Sequence, residues 1–123
     1  MFTHVMVGAD DIDASKKFYD AIFGVLGLPA GVKDPFGRVF YRTPNGAFGI
    51  TKPIDNQAAS IANGGTIGFA AVSTEQVDAW HDAGIDAGGT TCEDPPGVRK
   101  PFGAYGAYLR DPVGNKLCVS FML

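Results

Sequence analysis

The feature that most constrains this chain is that it repeats itself. His4 and Thr66, each heading an alternating stretch, lie 62 positions apart, as do Phe18 and Trp80 in the two helix-like stretches that follow. The turn Pro44-Asn45-Gly46 recurs 68 positions later as Pro112-Val113-Gly114. A self-similarity of this length marks a duplicated unit, and each half reads as β-α-β-β-β. A half of about 60 residues buries too little surface to be stable alone, so the halves are expected to pair within one domain or across a homodimer. The expected organisation is one α+β domain over residues 1–123: a first module at about 1–52, a small-residue connector at 53–65 and a second module at 66–123. An ordinary ferredoxin-like sandwich is the rival architecture, but it leaves the last two strands unexplained.

Local chemistry sets the elements. Residues 2–9 alternate, with Val5 and Val7 on one face and His4 and Met6 on the other. A helix follows, with Asp13 as the expected N-cap and Phe18, Ile22 and Leu26 as its buried stripe. Gly24, Gly27 and Pro29 end it, and three short β segments run to residue 52. In the second half, Ser73 caps a helix with Gln76 three residues on, the spacing of a capping box. Val77, Trp80 and Ala83 point inward, and Gly84 is read as the stop. A short strand is expected at 85–93, then the rigid loop Asp94-Pro95-Pro96-Gly97 and a strand at 102–110. In the closing hairpin Asp111 caps its own turn and Gly114 takes the positive-φ position. Along the last strand Leu117, Val119 and Phe121 alternate with Lys116, Cys118 and Ser120.

If each sheet packs its helix against the Val5/Val7, Ile67/Phe69 and Val119/Phe121 faces, the opposite faces meet each other or a ligand. Those faces carry His4, Met6, Gly49, Thr51, Thr66, Gly68, Cys118 and Ser120. Six of the eight are Gly, Thr, Cys or Ser, which fill little volume and predict one hollow of ligand size between the modules.

Composition removes several functional classes. The net charge is −3 and the Lys and Arg residues are scattered, so no basic stripe of the kind nucleic acid requires is present. No apolar run approaches 18 residues, and Met1 leads directly into a strand pattern, so no membrane association is expected and the location expected is cytoplasmic. Cys92 and Cys118 lack a CxxC spacing and are expected to be free thiols.

With these residues in hand, the chain resembles the glyoxalase I, bleomycin-resistance and extradiol-dioxygenase group, the vicinal oxygen chelate superfamily. The resemblance covers essentially the whole chain. It rests on the first strand with His4, the helix start Asp13-Ala14-Ser15-Lys16-Lys17-Phe18-Tyr19, Lys100-Pro101-Phe102-Gly103, and the final Asp111-Pro112-Val113-Gly114-Asn115. It implies a cup-shaped sheet made by the paired modules. It also implies, for metal-dependent relatives, one ligand on each of the first, fourth, fifth and eighth strands. Those positions fall here on His4, on Gly49 or its neighbour Ile50, on Thr66 and on Cys118, and only His4 is a usual ligand.

Three functions from different classes follow. The first is a small-molecule binding protein of the bleomycin-resistance type, with no cofactor. The second is a lactoylglutathione-lyase-like or dioxygenase-like enzyme holding a divalent metal, and the third is a metal-independent enzyme using His4 as acid/base. The first is preferred, because three protein ligands are the usual minimum for an open catalytic zinc and the family positions do not supply them. Arg99 and Lys100, after the Pro95-Pro96 loop, either reach over the cup to an anionic substrate or belong to a solvated loop, and the sequence supports the two equally.

Overall fold

A computed structural model describes residues 1–123. The first module comprises β1 (His4–Gly8), α1 (Ile12–Val25), β2 (Val32–Lys33), β3 (Val39–Thr43) and β4 (Gly46–Thr51). The second comprises β5 (Ile67–Ala70), α2 (Thr74–Asp86), β6 (Thr90–Thr91), β7 (Gly97–Arg99), β8 (Ala104–Arg110) and β9 (Lys116–Met122), with one 3-10 turn at Lys100–Phe102. The sheets are ordered β1-β4-β3-β2 and β5-β9-β8-β6, with β7 also on β8. In each, the first strand lies parallel to the last: Met6 pairs with Gly49, and Gly68 with Cys118. The duplication read from the sequence is thus realised strand for strand, except that the outer strand of the second module is broken into β6 and β7.

Three local expectations need correction. The N-cap of α1 is Asp11, whose carboxylate accepts from Ala14 N–H at 3.0 Å, whereas Asp13 sits in the first turn paired with Lys33. Both positions suit an aspartate at a helix N-terminus, so the residue type alone does not choose between them. Second, Gly84 does not end α2, which continues to Asp86 before Gly88 takes a φ of 104°. Gly84 is where the helix comes closest to its neighbours: a Cβ there would overlap Leu109 Cδ1 and lie 3.1 Å from Ile22 Cγ2. Third, the strand expected at 85–93 shrinks to Thr90–Thr91, because helix takes its first two residues and Glu93 adopts a φ of 58° that no strand accommodates. The Ser73 cap holds, with Gln76 N–H donating to Ser73 Oγ at 3.1 Å. Gln76 differs from a capping box in what else it binds: its Oε1 accepts from Val72 N–H and its Nε2 donates to Val25 O at the end of α1.

The two modules share one core. Sixteen buried residues from both form a single cluster, and Phe69 of the second module meets Phe23 and Phe48 of the first at centroid separations of 5.1 and 6.0 Å. The helices lie side by side, each against its own sheet and against the other. Asp111 reaches across this junction. Its Oδ1 accepts from the N–H groups of Val113, Gly114 and Asn115, and its Oδ2 accepts from Asn115 Nδ2 and, at 2.6 Å, from the buried Tyr19 hydroxyl of α1.

Gly114 in this turn has a φ of 114°, a region essentially closed to residues with a branched Cβ. Gly114→Val is expected to cost about 2 kcal/mol through that strain, read as a lower denaturant midpoint at unchanged slope. An unchanged midpoint would remove the turn from the determinants of stability.

Candidate functional site

Alternation places the expected side chains on the sheet faces turned away from the helices, but these faces do not enclose one hollow. The candidate residues fall into three separate cavities. Cys118, Ser120 and Arg99 line one of about 360 Å³ over the second sheet. Met6 and Thr51 line another of about 1010 Å³ beside the start of α1. His4, Thr66 and Gly68 line a third, of about 750 Å³, in the gap between the edges of β1 and β5. Gly49 lines none, because a Cβ on it would run into Met6 Sδ and the Phe40 ring, which already cover it. Small residues therefore mark a hollow at Cys118 and Ser120 and mark filled space at Gly49.

The cavity over the second sheet is the most elaborately built. Register sets Tyr108 opposite Cys118 and Gly106 opposite Ser120, so β8 and β9 present these side chains as one surface, closed at one end by Phe102, Ala104 and Met122. Gly106 lets neighbouring atoms approach closely, since a Cβ there would lie 3.1 Å from Val119 O and 3.6 Å from Ser120 Oγ, and Cys118 Sγ lies 3.4 Å from Ser120 Oγ. The break between β6 and β7 falls opposite Ala107 and Tyr108. The intervening loop turns its carbonyls to Arg99, whose Nη2 donates to Asp94 O at 2.8 Å and Pro95 O at 2.9 Å, and whose Nη1 donates to Gly97 O at 3.4 Å. The guanidinium is thereby held 5.6 Å from the centroid of the Tyr108 ring. Lys116 approaches the same ring at 5.1 Å and is paired with Glu93. Burial, with Cys118 alongside, raises the Tyr108 phenol above its ordinary range, so the hydroxyl stays protonated near neutrality.

The other two cavities are less suited to chemistry. His4 is exposed and its Nδ1 is 2.8 Å from Thr3 Oγ1, next door in sequence. It shares no cavity with Cys118 or Ser120, so the residues proposed to work with it are elsewhere. Thr66 precedes β5 and is exposed, and Gly68 has open space where a Cβ would lie. His81, on α2, contacts Thr91 Oγ1 at 3.1 Å. Both cysteines are free thiols. Tyr108, which lines the second-sheet cavity, is absent from the sequence-based candidates; its place opposite Cys118 across the hairpin is the signal for it.

The residues do not fit the metal that the family's enzymes hold. The four corresponding positions are His4, Gly49, Thr66 and Cys118, spread over two cavities and a filled site, and no three His, Cys, Asp or Glu side chains converge anywhere in the chain. One imidazole and one distant thiol do not make a divalent site.

Two βαβββ modules with a shared core and cavities on the sheet faces opposite the helices define the paired-module class of fold. The chain belongs to the Glyoxalase/Bleomycin resistance protein/Dioxygenase superfamily, whose pattern it matches over residues 1–119. It is similar to a glyoxalase/bleomycin resistance protein from Albidiferax ferrireducens T118, with 58% identity over 100% of this chain and 99% of that one and a TM-score of 0.94. A lactoylglutathione lyase from Agrobacterium tumefaciens is 26% identical over 98% and 92% of the two chains, with a TM-score of 0.68. A glyoxalase/bleomycin resistance protein/dioxygenase family enzyme from Burkholderia phytofirmans PsJN shares the fold at 21% identity, 98% of each chain and a TM-score of 0.75. No curated protein matches. No helix is long and apolar enough to cross a membrane.

Proposed function

We propose that this protein binds a small organic molecule in the cavity over Tyr108, Cys118 and Ser120, without the metal that serves the family's enzymes. One contrast supports this reading: the metal positions carry a single usual ligand, while the second sheet holds a lined cavity within the size range of roughly 300–1,000 Å³ common to ligand sites. The reading includes a homodimer in the cytoplasm. The cavities beside α1 and over the second sheet are each lined chiefly by one module and open to solvent, and the sheets end in unpaired edge strands that a second copy is suited to cover. A monomeric mass by sedimentation at micromolar concentration removes the dimer.

Metal analysis tests the central point. Protein purified without added metal is expected to contain no stoichiometric Zn, Ni, Fe or Mn and to keep its unfolding midpoint in excess chelator. A metal bound to the native state alone stabilises by roughly 3 to 4 kcal/mol at 100 to 1,000 times Kd, and chelation withdraws it. About one metal per chain, with chelator-sensitive turnover of a thiohemiacetal or a catechol, would replace the binding reading with that of a family enzyme.

A further inference from the structure

We infer that the ligand of the second-sheet cavity is a small carboxylate, its anionic end at Arg99 and its apolar body against Phe102 and Met122, an inference that rests on the binding reading above. The argument begins with what holds Arg99. Three of its hydrogen bonds go to backbone carbonyls of Asp94, Pro95 and Gly97, and no carboxylate pairs with it. Other cations are paired instead: Lys116 beside this cavity with Glu93, and Arg38 of the first module with Asp34. Arg99 therefore brings an uncompensated positive charge, fixed in orientation, to a cavity in a chain whose net charge is −3. Charge-assisted hydrogen bonds are the strong ones, and a pre-oriented guanidinium loses little freedom in making them.

The site has been built around this side chain. Proline at 95 and 96 stiffens the loop that receives the guanidinium, and Glu93 holds a left-handed φ of 58° that costs a non-glycine residue energy. The Glu93 carboxylate is paired with Lys116, and the loop's other acid, Asp94, meets Arg99 through its backbone carbonyl and not through an ion pair. The remaining wall fits an apolar body. Phe102 and Met122 are 66% and 65% exposed, large apolar side chains left uncovered beside the cavity. The volume of about 360 Å³ limits the occupant to the small end of the ligand range.

The test compares short aliphatic and aromatic carboxylates, acetate through octanoate and phenylacetate, each with its neutral amide. Binding is followed through the backbone amide resonances of residues 118–120. The best carboxylate is expected to bind about tenfold or more tightly than its amide, and to weaken as ionic strength rises while the amide does not. Arg99→Gln is expected to bring the carboxylate down to the level of the amide, with Arg99→Lys recovering part of the difference. The salt and amide comparisons use the unaltered protein, so they stand even if Arg99→Gln loosens the loop. Carboxylate and amide binding equally at these resonances overturns the anion assignment and leaves the cavity reading intact. No perturbation by any probe overturns both.

Discussion

Asp111→Ala is expected to destabilise the protein by about 3 kcal/mol or more, since hydrogen bonds to a charged group contribute roughly 1.5–3 kcal/mol each and several are lost together. The carboxylate accepts from three backbone N–H groups, one side-chain amide and the Tyr19 hydroxyl, and is only 4% exposed. Removing it unfastens the hairpin that sets the register of β9 and leaves a buried phenol without its acceptor. Tyr19→Phe is expected to cost less, about 1 kcal/mol, because Oδ2 keeps its bond from Asn115 Nδ2. The double variant should fall short of the sum, as two residues in contact do; strict additivity in denaturant unfolding would show that the bond does not carry the effect. The same pair sets an alkaline limit. Burial, then the charge and hydrogen bond of Asp111, raise the Tyr19 phenol well above its ordinary value. A folded pKa above the unfolded value of about 10 gives stability that is intact below pH 10 and lost as pH rises beyond it. Tyr19→Phe should make that loss shallower.

Two helix glycines should respond in opposite directions. Gly84→Leu is expected to cost roughly 3 kcal/mol, the upper end of ordinary overpacking, because Leu109, Ile22 and Phe18 already occupy the space and are fully buried. Gly24→Ala in α1 meets nothing within 4 Å and is expected to stabilise by about 0.5–1 kcal/mol through helix propensity alone. Thermal or denaturant midpoints that moved the same way for both would mean that packing against Leu109, Ile22 and Phe18 does not set the cost at Gly84.

The contrast between these glycines shows what was legible in the sequence. The repeat offsets, the strand faces, the Ser73 cap and the Asp111 turn all follow from short-range patterns, and the structure bears each out. Gly84 reads as a stop because glycine commonly ends helices, and only its distant neighbours, Leu109 of β8 and Ile22 of α1, show that it marks close packing. Alternation identified the face carrying Met6, Gly49, Cys118 and Ser120. It carries no information on whether a long neighbour folds over a glycine, so Gly49 was taken for open space that Met6 fills. The Tyr19–Asp111 bond joins residues 92 positions apart and leaves no periodic trace. Arg99 stands out in the sequence because a rigid Pro-Pro loop next to a cation is a local pattern; that three of its hydrogen bonds go to backbone carbonyls is not.

The broken outer strand between β6 and β7 has a further bearing on how such a protein changes over time. Residues 92–96 orient Arg99 and occupy Lys116, yet none belongs to the shared core. If the cavity beside Arg99 holds the proposed ligand, insertions, deletions and substitutions in this segment alter which molecules are accepted while scarcely affecting folding, since long loops are lengthened at little thermodynamic cost. On the proposed reading, recognition is evolvable in a segment that lies outside the shared core.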